Sequence, residues 1–225
     1  MRFQAQVAVL MGGLLAGCDT GPDAPSEVTP SPQDAPAAEP ASTARPDPDA
    51  WIPAAHRSWT HTHAVEHDLD GDGKADRALV LTGPKRDDMG PDRLLLVGLQ
   101  RPGGIQLVLS TACIALCTSC GGMMGDPYVG LTQVGTQSLK VSNHGGSAWR
   151  WSADYTLAWR QEQMMVVGYD SMSFHTGKPD DVKTTSINLL SGKASVNSGP
   201  LVRHSLKAMA GDDCTAVDAL GAAQL

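Results

Sequence analysis

The chain has 225 residues, a formal charge of −7, 41% apolar side chains and only 4% aromatic ones. Surplus acid gains no counterion-release energy from a phosphate backbone and is repelled by anionic headgroups, so nucleic acid is excluded as the natural partner and cations are favoured. Large apolar side chains are scarce from Asp19 to Ala50, so the core must come from one later domain of ordinary size.

Residues 1–17 read as an address. Arg2 precedes a short apolar run, Val7 to Leu15, broken by Gly12 and Gly13; it is too short for a permanent membrane span. It ends in Leu15-Ala16-Gly17-Cys18. This ending is similar to the lipobox of bacterial lipoproteins at every position. The resemblance implies diacylglycerol on the Cys18 thiol, cleavage after Gly17 and acylation of the new amino terminus. The membrane is then a partner through its lipids, because several acyl chains anchor far more firmly than one. Asp19 resembles the inner-membrane retention signal of enterobacterial lipoproteins. That rule differs between bacterial groups, so the envelope is the expected location and the choice of membrane stays open.

Residues 18–50 form a linker rich in Pro, Ala, Ser and Asp that holds eight of the 15 prolines. Such a segment favours extended polyproline II at about 3.1 Å per residue and reaches on the order of 90 Å. It reads as a spacer.

From 51 to 206, short apolar runs alternate with turn residues, the pattern of strands. The expected strands are Trp59–Glu66, Arg77–Thr82, Arg93–Gln100, Ile105–Ser110, Tyr128–Val134, Ser138–Ser142, Ala148–Arg160, Met164–Met172 and Thr184–Leu190. Short connections such as Pro102-Gly103-Gly104 and Gln161-Glu162 favour hairpins over crossover helices. The expected fold is an all-β antiparallel meander: a sandwich, an open barrel or a partial propeller. No blade-length repeat favours a full propeller. The Ala-rich stretch 207–225 is a short helix or a frayed tail.

The strongest chemical signal is Asp68-Leu69-Asp70-Gly71-Asp72-Gly73-Lys74-Ala75-Asp76. Carboxylates at loop positions 1, 3, 5 and 9, with glycine at 6, follow the calcium-loop pattern, and Lys74 at position 7 offers its backbone carbonyl. Four carboxylates this close repel one another without a cation. A helix-loop-helix site needs Glu at position 12, where Leu79 stands. The segment instead resembles the aspartate loops of FG-GAP and related secreted calcium repeats, which lead straight into a strand. That resemblance covers about fifteen residues and implies structural Ca2+ held by Asp68, Asp70, Asp72, Lys74 and Asp76.

Besides Cys18, the chain has Cys113, Cys117, Cys120 and Cys214. An even count in an exported protein suggests disulfides. Cys117 with Cys120 and Cys113 with Cys214 is one possible pairing; sequence does not fix it. Two rivals stand beside it: a thiol oxidoreductase using Cys117 and Cys120, and soft-metal binding with Met123 and Met124. The stretch from Cys117 through Gly121-Gly-Met-Met-Gly-Asp-Pro127, followed by Gly145-Gly-Ser-Ala-Trp-Arg-Trp151, resembles motifs of uncharacterised secreted bacterial proteins over about His63 to Lys193. The resemblance implies a family without an activity.

His63-Ala64-Val65-Glu66-His67 matches the H-x-x-E-H of inverse zinc peptidases. That chemistry needs a helix, so that both histidines meet one zinc while the glutamate activates water. The surrounding alternation reads as a strand, on which the two histidines lie about 13 Å apart. Trp149, Trp151 and Trp159 share one strand face, as core packing or as a platform for a glycan or peptide; Arg150 and Asp154 face the other way. The leading reading is a non-enzymatic, calcium-stabilised β-domain on a lipid tether that binds an envelope glycan or protein. A metal-dependent hydrolase using His63, Glu66 and His67 is the chief alternative.

Overall fold

The computed structural model describes residues 47–86, 90–197, 199, 202–203 and 207–222. The signal segment, Cys18 and the linker up to residue 46 lie outside these residues. Leucine- and valine-rich runs separated by tight turns bury their side chains by pairing with one another. The strands are β1 (Thr60–His67), β2 (Asp76–Thr82), β3 (Arg93–Arg101), β4 (Gly104–Thr111), β5 (Tyr128–Val134), β6 (Ser138–Gly146), β7 (Trp149–Arg160), β8 (Gln163–His175), β9 (Lys178–Asn188), β10 (Lys193–Val196), β11 (Val202–Arg203) and β12 (Met209–Ala210). One helix, α1 (Cys214–Ala222), follows.

Every pairing among the described residues is antiparallel, in two sheets. The first runs β1-β2-β3-β4; the second runs β11-β10-β9-β8-β7-β6-β5, with β12 also paired to β8. Of the three expected architectures the sandwich is the one formed. Ala78, Val80, Leu95, Val97 and Leu109 from the first sheet share a core with Leu139, Val141, Leu157, Val166 and Ile187 from the second.

The first sheet is apolar on both sides. Leu79, Leu81, Leu94 and Leu96 point away from the sandwich and pack under Ile52, Trp51 and Trp59. That is why β2 and β3 read as nearly unbroken apolar runs instead of alternating ones. The strap 47–59, with a 3₁₀ turn at Ala54–His56, is therefore part of the fold. At the other end, α1 forms the helix of the two alternatives for the C-terminal stretch, and it sends Val217 and Leu220 into the common core. No helix among the described residues is long and apolar enough to cross a membrane.

Candidate functional site

The aspartate loop connects β1 to β2, and each of its acids has a backbone task. Asp68 accepts the amides of Gly71 (2.7 Å) and Gly73 (2.9 Å), which curls the loop around its first residue. Asp70 and Asp72 accept the amides two residues on, at 3.1 and 2.8 Å. These are Asx turns, the local bonding that makes aspartate a turn former. Gly73 has φ +83°, a conformation that costs a side-chain-bearing residue dearly, so the sharp bend assigned to it is present. Asp76 is fully buried. One of its oxygens takes the Leu69 amide at 2.7 Å and the other the Gln100 amide at 2.8 Å, tying the loop to the end of β3.

Three of the predicted ligands converge. Asp68, Asp70 and Asp76 each offer a carboxylate oxygen, all mutually within 4.8 Å, an arrangement that can hold a metal ion. Asp72 is not brought into that group. Its carboxylate turns to the Nζ of its neighbour Lys74 at 2.9 Å. This hydrogen bond, more than any other contact, holds the Asp72 carboxyl below its usual range. The structure also adds a residue that sequence reasoning missed. Arg101, from the end of β3, donates to Asp70 at 2.6 Å and lies 3.8 Å from Asp72; the Asp70 bond raises the guanidinium's already high pKa. Nothing within the loop signals Arg101, because the contact spans 31 residues and exists only once β3 pairs with β2. The expected mutual repulsion of the acids is thus partly offset by two side-chain cations. The donor set is hard oxygen throughout, which suits calcium or magnesium over softer ions.

The H-x-x-E-H motif is strand, as expected. His63 stands edge-on to Tyr128 with ring centroids 5.5 Å apart. His67 Nε2 lies 2.6 Å from the Thr136 carbonyl and 2.8 Å from Gln133 Nε2. Glu66 sits on the opposite face of β1 and pairs with Arg77 at 3.2 Å. The geometry that a zinc peptidase requires is not assembled, because alternation along a strand separates the glutamate from both histidines.

The cysteines pair as Cys113–Cys214 and Cys117–Cys120, with Cα separations of 5.1 and 5.2 Å. The first bond ties α1 to the loop after β4. The second closes a small ring that runs into a 3₁₀ turn at Gly122–Met124, not into the helix a thioredoxin-like site would need. With both sulfurs in a disulfide, neither is a free thiolate for a soft metal. Beyond the ring, Asp126 forms a two-pronged pair with Arg93 at 2.7 and 2.5 Å. Arg93 also donates to the Leu116 carbonyl at 2.9 Å. Buried Asn143 bonds Ile114 and Leu116 at 2.9 and 3.3 Å and so fixes the same loop.

Trp151 and Trp159 pack against the common core. Trp149 instead stays 55% exposed, edge-on to His175 at 5.1 Å, so the three rings do not form one continuous platform. Asp154 faces the other way, as expected, and pairs with Lys140 at 3.1 Å.

No family model matches the chain, and no curated protein matches it. Among solved structures it is similar to one described as "Structure of a Xanthomonas Type IV Secretion System related protein", at 17% identity and a TM-score of 0.38. The match covers 65% of this chain and 62% of that one, so the chain spans less than two thirds of that protein's length. Likeness at this level transfers neither fold nor function.

Proposed function

We propose that the chain is an exported lipoprotein of the bacterial cell envelope, tethered by acyl groups on Cys18. Its domain is a calcium-braced β-sandwich that binds an envelope glycan or protein and performs no catalysis. The observation that carries the calcium reading is the convergence of Asp68, Asp70 and Asp76 at one hairpin. Asp72 and the Lys74 carbonyl are the further protein ligands of this reading, with water filling the six to eight oxygen positions that calcium prefers. Calcium entering there displaces Arg101 from Asp70 and takes over its neutralising role. The position at a hairpin that Asp76 already ties to β3 favours a brace over a catalytic metal.

A ligand that binds only the folded state at one hundred times its Kd stabilises by about 2.7 kcal/mol. Millimolar calcium is therefore expected to raise the melting temperature by several degrees, and chelator to reverse the rise. Asp70→Ala is expected to remove this response. Unchanged melting with no calorimetric heat on adding calcium would leave the loop as a turn only. For the anchor, cells fed alkynyl palmitate are expected to label the parent chain and not Cys18→Ser. Equal labelling of the two would refute lipidation at Cys18.

A further inference from the structure

On the outward face of the second sheet, cross-strand pairing sets two rows side by side. His144, Ser152 and Met172 form one, and Gly146, Arg150 and Phe174 form the other. Directly opposed residues project from the same face, so the small members of these rows, Ser152 and Gly146, leave a hollow between large neighbours. Met124 borders it. The turn that carries Met124 is tied to the hairpin by the Gly146 amide, which donates to the Gly121 carbonyl at 2.8 Å, and is itself closed by the Gly121 amide, which donates to the Gly125 carbonyl at 3.0 Å. The result is an open cleft of about 390 Å³ lined by Met124, His144, Arg150, Ser152, Met172 and Phe174. Its volume falls in the range of small-ligand sites. Methionine and phenylalanine walls of this kind adapt to apolar guests.

Arg150 sets the cleft apart from an ordinary apolar dent. Among the arginines whose side chains are described, Arg57, Arg77, Arg86, Arg93, Arg101 and Arg160 each hold a carboxylate or a backbone carbonyl. Arg150 has neither an ion pair nor a side-chain hydrogen bond among the described residues. A planar guanidinium at an apolar hollow is built to take a carboxylate with two parallel bonds. Chemistry that places an apolar side chain and a carboxylate on one carbon is that of a polypeptide's last residue. A long acyl chain fits less well, since an open, short cleft leaves most of its methylenes in water.

We propose that this cleft captures the carboxyl terminus of a partner polypeptide, its final apolar side chain in the hollow over Ser152 and its α-carboxylate on Arg150. The inference rests on reading the domain as a binding module and names where that module binds. It uses none of the aspartate-loop residues, so the two can fail separately.

The test is a titration of the full mature chain, in saturating calcium, with acetyl-Ala-Ala-Phe as free acid and as C-terminal amide. Binding is followed by tryptophan fluorescence, to which Trp151 beside the cleft contributes. The acid is expected to bind saturably and at least tenfold more tightly than the amide. Arg150→Gln should erase that difference, and Ser152→Phe should abolish binding of both. Met124→Ala, on an exposed turn, is the companion variant should Ser152→Phe melt early; it is expected to weaken the acid severalfold with melting unchanged. Equal affinity for acid and amide would overturn the proposal, as would variants that bind like the parent. Decanoate binding more tightly than the peptide, and losing that binding in Arg150→Gln, would assign the cleft to free acids and overturn it too. Calcium-dependent melting is read on the same samples. Lost peptide binding with that response intact sinks the cleft alone.

Discussion

Asp126 shows how a motif residue can be spent on architecture. Burial pushes its carboxyl pKa up, yet the bonds from Arg93 and from the Tyr128 amide outweigh burial and hold it below the usual carboxylate range. A folded pKa below the unfolded one means stability that is present above about pH 4 and is lost as pH falls through the lower, folded value. Melting temperature measured against pH should therefore drop on the acid side for the parent. Asp126→Asn should start lower at neutral pH and fall less in acid. Parallel curves would show that the pair contributes nothing to the acid limb. Arg93 also lies 4.8 Å above the Tyr128 ring, and burial raises the Tyr128 phenol above its ordinary pKa. The Asp126-Pro127-Tyr128 corner is thus a clamp between the loop after β4 and the second sheet. Sequence reasoning set this motif among family signatures without a role, because its partner Arg93 lies 33 residues earlier.

Among the elements, the first nine strands were legible because each carries its own punctuation. Gln161-Glu162, expected as a hairpin turn, joins β7 to β8 with Arg160 opposite Gln163. Both turn residues have positive φ, 51° and 62°, the conformation of a type I′ turn that normally selects Asn and Gly. Glu162→Gly should relieve side-chain strain worth about 1 kcal/mol, offset in part by the freer unfolded chain. The expected result is a higher urea midpoint with an unchanged slope; a lower midpoint would refute it. What sequence could not supply is equally physical. Strands β11 and β12 have two residues each, too few for any period to register. β6 and β8 run past their expected ends, and β9 begins at Lys178, ahead of its expected start at Thr184, through mostly glycine and polar residues, where pairing with a neighbour decides and local preference does not. Within the aspartate loop, spacing pointed to five residues, of which Asp68, Asp70 and Asp76 converge. The rotation of Asp72 onto Lys74 and the arrival of Arg101 depend on rotamers and on strand pairing, which spacing does not encode.

For the molecule as a whole, two segments outside the sheets, α1 and the strap, complete the burial of the sandwich. Tyr155 and Tyr169 lie 5.2 Å apart with Gly221 of α1 beside the Tyr169 hydroxyl, and α1 adds Val217 and Leu220 to the core. The Cys113–Cys214 bond, spanning 101 residues, holds that helix in place. On the far side the strap does the corresponding job, and Arg57 secures it by donating to the carbonyls of Ile52 (3.0 Å) and Ala50 (2.9 Å). A version beginning at Thr60 is expected to self-associate in light scattering at concentrations where one beginning at Asp47 stays monodisperse. Equal scattering would show that the strap covers nothing the solvent minds.

The shield over the first sheet is thus made from the last few residues of chain before the strands begin, at residues 47–59. A single nick between Arg57 and Trp59 would leave every hairpin intact and still turn a clean particle into a sticky one. Where an expression boundary is drawn, or where a sample ages on the bench, would then decide its colloidal behaviour before any ligand is added.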